Sequence, residues 1–161
     1  MRNLSCAKGL KERTPREEPR GDGCSMTRRR KARELAVQFL YSVEVNPREL
    51  EESLAHFWEA NKATGNVREF ASPLIRGVLE EKEKIDRIIS EQALNWDIGR
   101  ITMVDRNILR LAVYELAFRE DIPPIVSINE AVDIAKKFGT AESGKFVNGI
   151  LDKIREKLTE V

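Results

Sequence analysis

The sequence predicts an all-α domain of about seven helices. Two observations support this prediction. From Arg28 onward, apolar residues recur at intervals of three and four positions, which places them on one face of a helix. No segment shows sustained alternation of apolar and polar residues between hairpin turns, which is the pattern of a half-buried strand. Each helix must therefore bury its apolar stripe against other helices.

The first predicted helix begins in the basic block 28–33 and ends at Asn46 and Pro47, because proline cannot continue a helix. Its apolar face consists of Ala32, Leu35, Ala36, Phe39, Leu40 and Val43. A second, weaker helix carries Leu50, Leu54, Phe57 and Trp58.

The third predicted helix follows a break at residues 65–66 and has an apolar face over residues 67–79. Because Pro73 lies inside this pattern, the helix either kinks there or starts afresh with Ser72 as its cap. The fourth helix stops near residues 95–96. Its apolar face is Ile85, Ile88, Ile89 and Ala93.

Residues 103–118 are apolar around most of their circumference, which predicts the central core helix. After a turn at residues 121–124, Ser127 and Glu130 have the spacing of a capping box that opens the sixth helix. Gly139 is expected to end that helix in the left-handed conformation. The seventh helix carries Phe146, Val147, Ile150, Leu151, Ile154 and Leu158.

Length and composition indicate one domain, since the chain has 161 residues, of which 41% are hydrophobic and 34% charged. No stretch has the apolar length of a membrane helix or of a signal peptide, so we expect a cytoplasmic protein. Cys6, Cys24 and the single histidine, His56, are too few and too scattered for a zinc site, and a disulfide is not expected in a reducing cytosol.

Residues 1–27 are predicted to be a disordered extension of the helical domain, which spans 28–161. The first 25 residues hold three of the nine glycines and two of the six prolines and show no apolar period. Met26 lies directly before Thr27 and the basic block, so the alternative is that translation starts at Met26 and the first 25 residues are a start-site artefact.

The net charge of +1 conceals a segregation of charge. The block 28–33 holds five basic residues and no acid, whereas residues 34–161 hold 17 basic and 23 acidic residues. A compact basic block beside an acidic body is a localised anion site, because the body itself does not attract polyanions. The alternative interpretation is a solvated basic helix start or a flexible tail.

Sequence patterns for catalysis are absent, and we expect no catalytic residues, metal or cofactor. Residues 139–146 fit the G-x-x-x-x-G-K part of a phosphate-binding loop, but Phe146 replaces the magnesium-binding hydroxyl and no strand precedes the segment. His56 has no nucleophile motif near it and is interpreted as a surface residue. Glu80, Glu81 and Glu83 form a solvated face.

Binding of a polyanion is the remaining prediction. Arg28, Arg29, Arg30, Lys31 and Arg33 start a helix whose dipole disfavours positive charge there, so an external partner would supply the missing interaction. Such a block gives salt-dependent affinity with little sequence choice. Stacking aromatics would add selectivity. The candidates are Tyr41, Phe138 and Phe146, each of which is otherwise a core residue.

Three segments resemble the NusB family of bacterial transcription antitermination factors. They are RRRKARELAVQFLYS (28–42), VDRNILRLAVYEL (104–116) and VSINEAVDIAKKFGTAESGKFVNGILDK (126–153). The resemblance implies two packed helical subdomains and no catalytic activity. It also implies pairing with NusE, a small-subunit ribosomal protein, to bind the single-stranded boxA RNA of ribosomal RNA leaders within the antitermination complex of RNA polymerase and other Nus factors.

The resemblance assigns roles by position. The basic residues of block 28–33 match the family's RNA-binding arm, and Asp105 matches an acidic position facing NusE. The remaining RNA-surface positions are Tyr41, Phe138, Glu142, Lys145 and Phe146. Around Glu142 the sequence AESGKF departs from the family's commoner acidic-Ser-His-Lys-Phe pattern, which leaves the local contacts open.

Two alternatives remain at this point. The first is an RNA-binding helical appendage like that of ribosomal RNA cytosine methyltransferases, which needs a further α/β domain and a catalytic cysteine. The second is a helical adaptor that binds protein alone and would lack the salt dependence of phosphate binding. Whether the free protein forms a homodimer is also open.

Overall fold

The computed structural model describes residues 23–93 and 97–160, and every regular element in these ranges is a helix. The elements are α1 (Gly23–Val45), α2 (Leu50–Asn61), α3 (Gly65–Glu80), α4 (Lys82–Gln92), a short 3-10 helix (Ile98–Arg100), α5 (Met103–Phe118), α6 (Pro124–Phe138) and α7 (Ser143–Thr159). The predicted all-α class is thereby confirmed. None of the described helices is long and apolar enough to cross a bilayer.

Helix α5 is the centre of the fold, as its apolar circumference predicts. It packs against α1, α3, α4, α6 and α7. Leu109 and Val113 are completely buried, and Ile108 and Leu111 nearly so. The N-cap of the helix is Thr102, whose hydroxyl accepts a hydrogen bond from the backbone N–H of Asp105. One continuous hydrophobic core therefore surrounds α5.

Helices α1 and α3 pack against each other and against α5. The predicted apolar face of α1 is buried from Ala32 to Leu40. Helix α2 is anchored through its buried Leu54 and Trp58, and Phe57 meets Phe39 of α1 edge to face at 5.3 Å between ring centroids. Helix α2 thus joins the core mainly through large apolar side chains.

Helix α3 runs without interruption from Gly65 to Glu80 and includes Pro73. The alternative of a fresh start capped by Ser72 is therefore wrong. Residues 65–66 belong to the first turn of the helix instead of forming a break. Proline is accommodated because the apolar face on both sides of it, from Val67 to Val78, is buried in the core.

Helix α1 starts at Gly23, five residues before the start predicted at Arg28. Residues 1–22, most of the predicted disordered extension, lie outside the described residues, and so does the predicted end of α4 near residues 95–96. The domain boundary at 28 consequently stays a prediction.

Helix α6 starts at Pro124, one turn before the predicted capping box. Proline suits the first helical position because its backbone angle is preset and its missing N–H would have no helical partner there. Ser127 is instead buried in the second turn, and Glu130 points to Arg30 of α1. The capping-box prediction is therefore wrong.

Gly139 ends α6 in an extended conformation (φ −92°, ψ −162°), so the predicted left-handed cap is wrong as well. The glycine is needed for space. A Cβ atom here would lie 2.3 Å from the Ser143 hydroxyl oxygen and 2.7 Å from the Ala135 carbonyl oxygen. Close approach of the start of α7 to the end of α6 thus requires glycine at this position.

Candidate nucleic-acid interface

The basic block 28–33 divides into exposed cations and cations bound inside the protein. Arg28, Arg29 and Lys31 are exposed, and none of them forms an ion pair with any residue of 23–93 or 97–160. We call these three residues the open cations. A cation without a partner in the fold keeps its charge available to an external anion.

Arg30 connects α1 to α6. Its Nη2 donates to Glu130 Oε1 at 2.8 Å and to Asp133 Oδ2 at 2.7 Å, and its Nε donates to Glu130 Oε2 at 3.0 Å. The bidentate hydrogen bonds with Glu130 raise the pKa of Arg30 above its ordinary value. Its side chain is 43% exposed, so Arg30 is a partly open cation that fixes the start of α1 to α6.

Arg33 is a core residue, 3% exposed, although the sequence places it with the RNA-binding residues. Its Nε donates to Oε1 of the equally buried Glu115 at 2.7 Å. A buried charge must be paired, and reaching an RNA phosphate would break this pair. Moreover, α1 starts at Gly23, so the block lies beyond the first turn and the expected conflict with the helix dipole is weaker.

The aromatic ring beside the basic block is Phe70 of α3, which sequence reasoning assigned to the core. The guanidinium carbon of Arg29 lies 5.1 Å from the ring centroid and that of Arg33 lies 5.0 Å from it. Phe70 is only partly buried and lines a cavity with Arg28 and Arg29. Because Phe70 falls on the predicted apolar face of α3, the sequence indicates a core residue. No local signal connects residue 70 to the basic block.

A second candidate surface is a cavity of about 550 Å³ where α5 and α7 begin, which we call the α5–α7 cavity. Asp105, Glu142, Lys145 and Phe146 line it together with Arg100. The structure thus brings the residue predicted to face NusE to the same cavity as three residues predicted to face RNA.

Asp105 is largely enclosed, with 6% of its surface exposed. The Ser143 hydroxyl donates to its Oδ2 at 3.1 Å, while Oδ1 has no hydrogen-bond partner among the described residues. A buried carboxylate oxygen without a donor is costly, so a donor supplied by a partner at this cavity would be stabilising. Lys145 is exposed at the rim.

Tyr41 and Phe138, the other predicted stacking residues, line neither of these two cavities. Tyr41 is 40% exposed on α1 and Phe138 is 38% exposed at the end of α6. Lys137 Nζ lies 5.3 Å from the Phe138 ring centroid and also pairs with Glu34. Both rings are accessible, but neither lines the cavity that Arg28 and Arg29 form with α3.

A third charged cluster is closed. Glu44, near the end of α1, accepts hydrogen bonds from Arg106, from Asn107 at 2.9 Å and from Arg110 at 3.1 Å. Arg110 also donates to Asp86 at 2.7 Å. We call these five residues the Glu44 network. Burial raises the pKa of Glu44, but the hydrogen bonds from Asn107 and Arg106 outweigh it, so the pKa lies below its ordinary value.

The geometry of the described part of the chain also bears on metal binding. No group of three His, Cys, Asp or Glu side chains there is placed to hold a metal ion. His56 is exposed on α2, 3.8 Å from Glu52, as predicted for a surface histidine. The fold and these surfaces define a class of small all-helical binding proteins with an open basic helix start.

Comparison with known proteins assigns the family. The model of the NusB family matches residues 30–156, so the chain belongs to the NusB family. It is similar to the transcription antitermination protein NusB of Thermodesulfovibrio yellowstonii, with 45% identity over 81% of this chain and 93% of the relative. It is 49% identical to that of Geobacter sulfurreducens, over 84% of this chain and 99% of the relative.

Solved structures agree with this assignment. NusB of T. maritima matches with a TM-score of 0.74 and 42% identity, over 80% of this chain and 91% of that one. A chain in the crystal structure of the antitermination factors NusB and NusE in complex with dsRNA matches with a TM-score of 0.75 and 32% identity, over 82% of this chain and 98% of that one.

Proposed function

We propose that this chain is a transcription antitermination protein that binds a boxA-type RNA together with NusE. The observation that carries the proposal is the group of open cations at the start of α1 in a protein whose body is acidic. The names of the NusB relatives and the NusB–NusE–RNA composition of one structural neighbour support it.

In this proposal the open cations attract the RNA phosphates, and the attraction weakens steeply with salt because bound counterions are released. Arg30 contributes at its exposed side only, and Arg33 does not contact RNA. Glu142, Lys145 and Phe146 extend the RNA surface at the α5–α7 cavity. NusE contacts the same cavity at Asp105, whose Oδ1 accepts a hydrogen bond from it.

The proposed activity is binding and not catalysis, and we place the protein in the cytoplasm, where bacterial transcription takes place. An RNA-binding appendage of a methyltransferase is less well supported, because the NusB relatives match over nearly their entire length. A protein-only adaptor is also less well supported, because it gives the open cations no ligand.

The test is a titration of fluorescent boxA-type RNA and of a scrambled control, with and without NusE, at two salt concentrations. We expect tighter, boxA-preferring binding once NusE is present. A duplex of the same sequence is a third ligand, since the neighbouring complex holds double-stranded RNA. Equal binding to all three RNAs regardless of NusE would contradict the proposal and leave only a basic patch.

A further inference from the structure

A cavity of about 360 Å³ lies between the start of α1 and the start of α3. Arg28, Arg29, Asn66, Glu69 and Phe70 line it. It combines two open cations, one amide, one carboxylate and one aromatic ring. None of the proposed contacts with NusE or RNA described above accounts for the three α3 residues, so the cavity has no role yet.

The side chains at the base of this cavity are held in position before a ligand binds. Arg33, held by Glu115 at 2.7 Å, lies against Phe70 from the core. Arg29 packs on the same ring at 5.1 Å but has no ion-pair partner among the described residues. The ring therefore holds the Arg29 guanidinium in place without a hydrogen bond or ion pair to a described residue. A planar group held in this way loses little side-chain entropy when a ligand stacks on it.

The rim of the cavity is divided by charge. Arg28 presents a cation on the α1 side, whereas Glu69 presents a carboxylate on the α3 side and Asn66 an amide. Neither Asn66 nor Glu69 uses its side chain in a hydrogen bond with a described residue. A carboxylate repels phosphate but accepts hydrogen bonds from amino groups, so the α3 side favours the edge of a base over the backbone.

We propose that this cavity binds one unpaired nucleotide of the RNA. The base stacks on the Arg29 guanidinium, which the Phe70 ring supports from behind, its amino group donates to Glu69, and Asn66 contacts the same edge. Arg28 neutralises the adjoining phosphate. The subsite selects adenine, cytosine or guanine over uracil, which has no amino group to donate. This inference rests on the proposed RNA-binding function and adds a base-selecting site to it.

The first test compares Phe70→Leu and Phe70→Tyr in the complex with NusE, using the boxA-type RNA. Phe70→Leu removes the ring that holds the Arg29 guanidinium under the base, which should weaken binding about ten-fold, whereas Phe70→Tyr keeps the ring and should bind like wild type. Arg68→Ala, on the same helix but outside the cavity, is the matched control and should bind like wild type. Circular dichroism and the unfolding midpoint verify that each variant is folded.

The second test locates the nucleotide. Each amino-bearing base of the RNA is replaced in turn by uracil, and the affinity of wild type and of Glu69→Gln is measured. We expect one position at which uracil weakens wild-type binding several-fold but leaves Glu69→Gln nearly unaffected. If Phe70→Leu does not fold, Asn66→Ala replaces it as the variant of the cavity, because residue 66 is exposed. Its affinity for each substituted RNA is then compared with that of wild type.

Two results separate this inference from the proposed function. If wild type prefers boxA-type RNA while Phe70→Leu, Glu69→Gln and Asn66→Ala bind like wild type at every position, the subsite is refuted and the function stands. If wild type itself shows no preference between the boxA-type and scrambled RNA, the proposed function fails and the subsite fails with it.

Discussion

The two ends of α1 handle charge in opposite ways. At its start, the open cations face solvent without an ion-pair partner among the described residues. Near its end, Glu44 is held by Arg106, Asn107 and Arg110 within the Glu44 network. The difference teaches that charges satisfied inside the fold contribute to its stability, whereas charges left unsatisfied are available for binding.

The block 28–33 contains, within six residues, both a cation paired inside the fold and cations without an ion-pair partner among the described residues. Arg29 and Arg33 lie one helical turn apart and contact the same ring, yet Arg33 is paired in the core and Arg29 is open. Substitutions that look equivalent in the sequence should therefore separate into effects on stability and effects on RNA affinity.

The largest expected effect is on stability. Replacing Arg33 by Met leaves Glu115 buried without its partner, which should cost about 3–5 kcal/mol of unfolding free energy. Urea denaturation measures the loss. The double variant Arg33→Met/Glu115→Leu removes both charges and should recover much of it. A loss below about 1 kcal/mol in the single variant would show that Arg33 is not a core charge.

The next effect is on RNA affinity. Replacing the open cations by alanine should reduce the slope of log affinity against log salt by about 2, which is about 100-fold in affinity at 0.1 M salt for a single strand. The unfolding free energy should stay within about 0.5 kcal/mol of wild type. Lys82→Ala/Arg87→Ala/Lys153→Ala removes the same charge from exposed sites elsewhere and is the control. An unchanged slope in the first variant would remove the open cations from the interface.

A third prediction concerns pH. Glu44→Gln should cost about 1–2 kcal/mol at pH 7, because its hydrogen bonds lose their charge assistance. The folded state lowers the pKa of Glu44. Its contribution to the free energy of unfolding is therefore complete above the ordinary pKa of 4.5 and is lost as the pH falls through the lowered value. The stability difference between wild type and variant should thus shrink in acid. A difference that stays constant with pH would exclude Glu44 titration as its origin.

The smallest effect on RNA affinity is expected for Arg30, which is partly exposed and paired with two acidic residues of α6. Arg30→Ala should cost about 1–3 kcal/mol of unfolding free energy, less than Arg33→Met, because solvent screens the pair with the half-exposed Asp133, whereas Glu130, only 5% exposed, loses its partner. RNA affinity should fall less than for Arg29→Ala, since Arg30 already has acidic partners. Paired titrations of the two variants with the same RNA measure this, and equal losses would mean that RNA displaces Arg30 from α6.

Sequence periodicity predicted the helices well because a regular apolar stripe is a local signal. The central helix 103–118 has the predicted ends, and the face of α1 is buried as expected. The wrong predictions concern helix ends whose positions are determined by tertiary packing. Gly139 is glycine because Ser143 approaches it, and α6 begins at Pro124 instead of at Ser127. Neither reason is visible from local spacing.

The candidate site was predictable only in part. The basic block is evident from charge alone, but the roles within it depend on distant partners. Glu130 lies 100 positions from Arg30, and Glu115 lies 82 positions from Arg33. Phe70 reaches the block only through the packing of α3 on α1. Local patterns identify such residues as charged or apolar, and only the fold determines which of them meet.

The central position of α5 has a consequence for how the protein folds. Helices α1 and α7, which carry the two candidate surfaces, both complete their packing on α5. Helix α1 also packs on α3 and helix α7 on α6, and α5 contacts all four, so we expect folding as one cooperative unit without a stable half-folded species. The open cations and the α5–α7 cavity are then gained or lost together, and a partly folded chain would present neither surface to RNA.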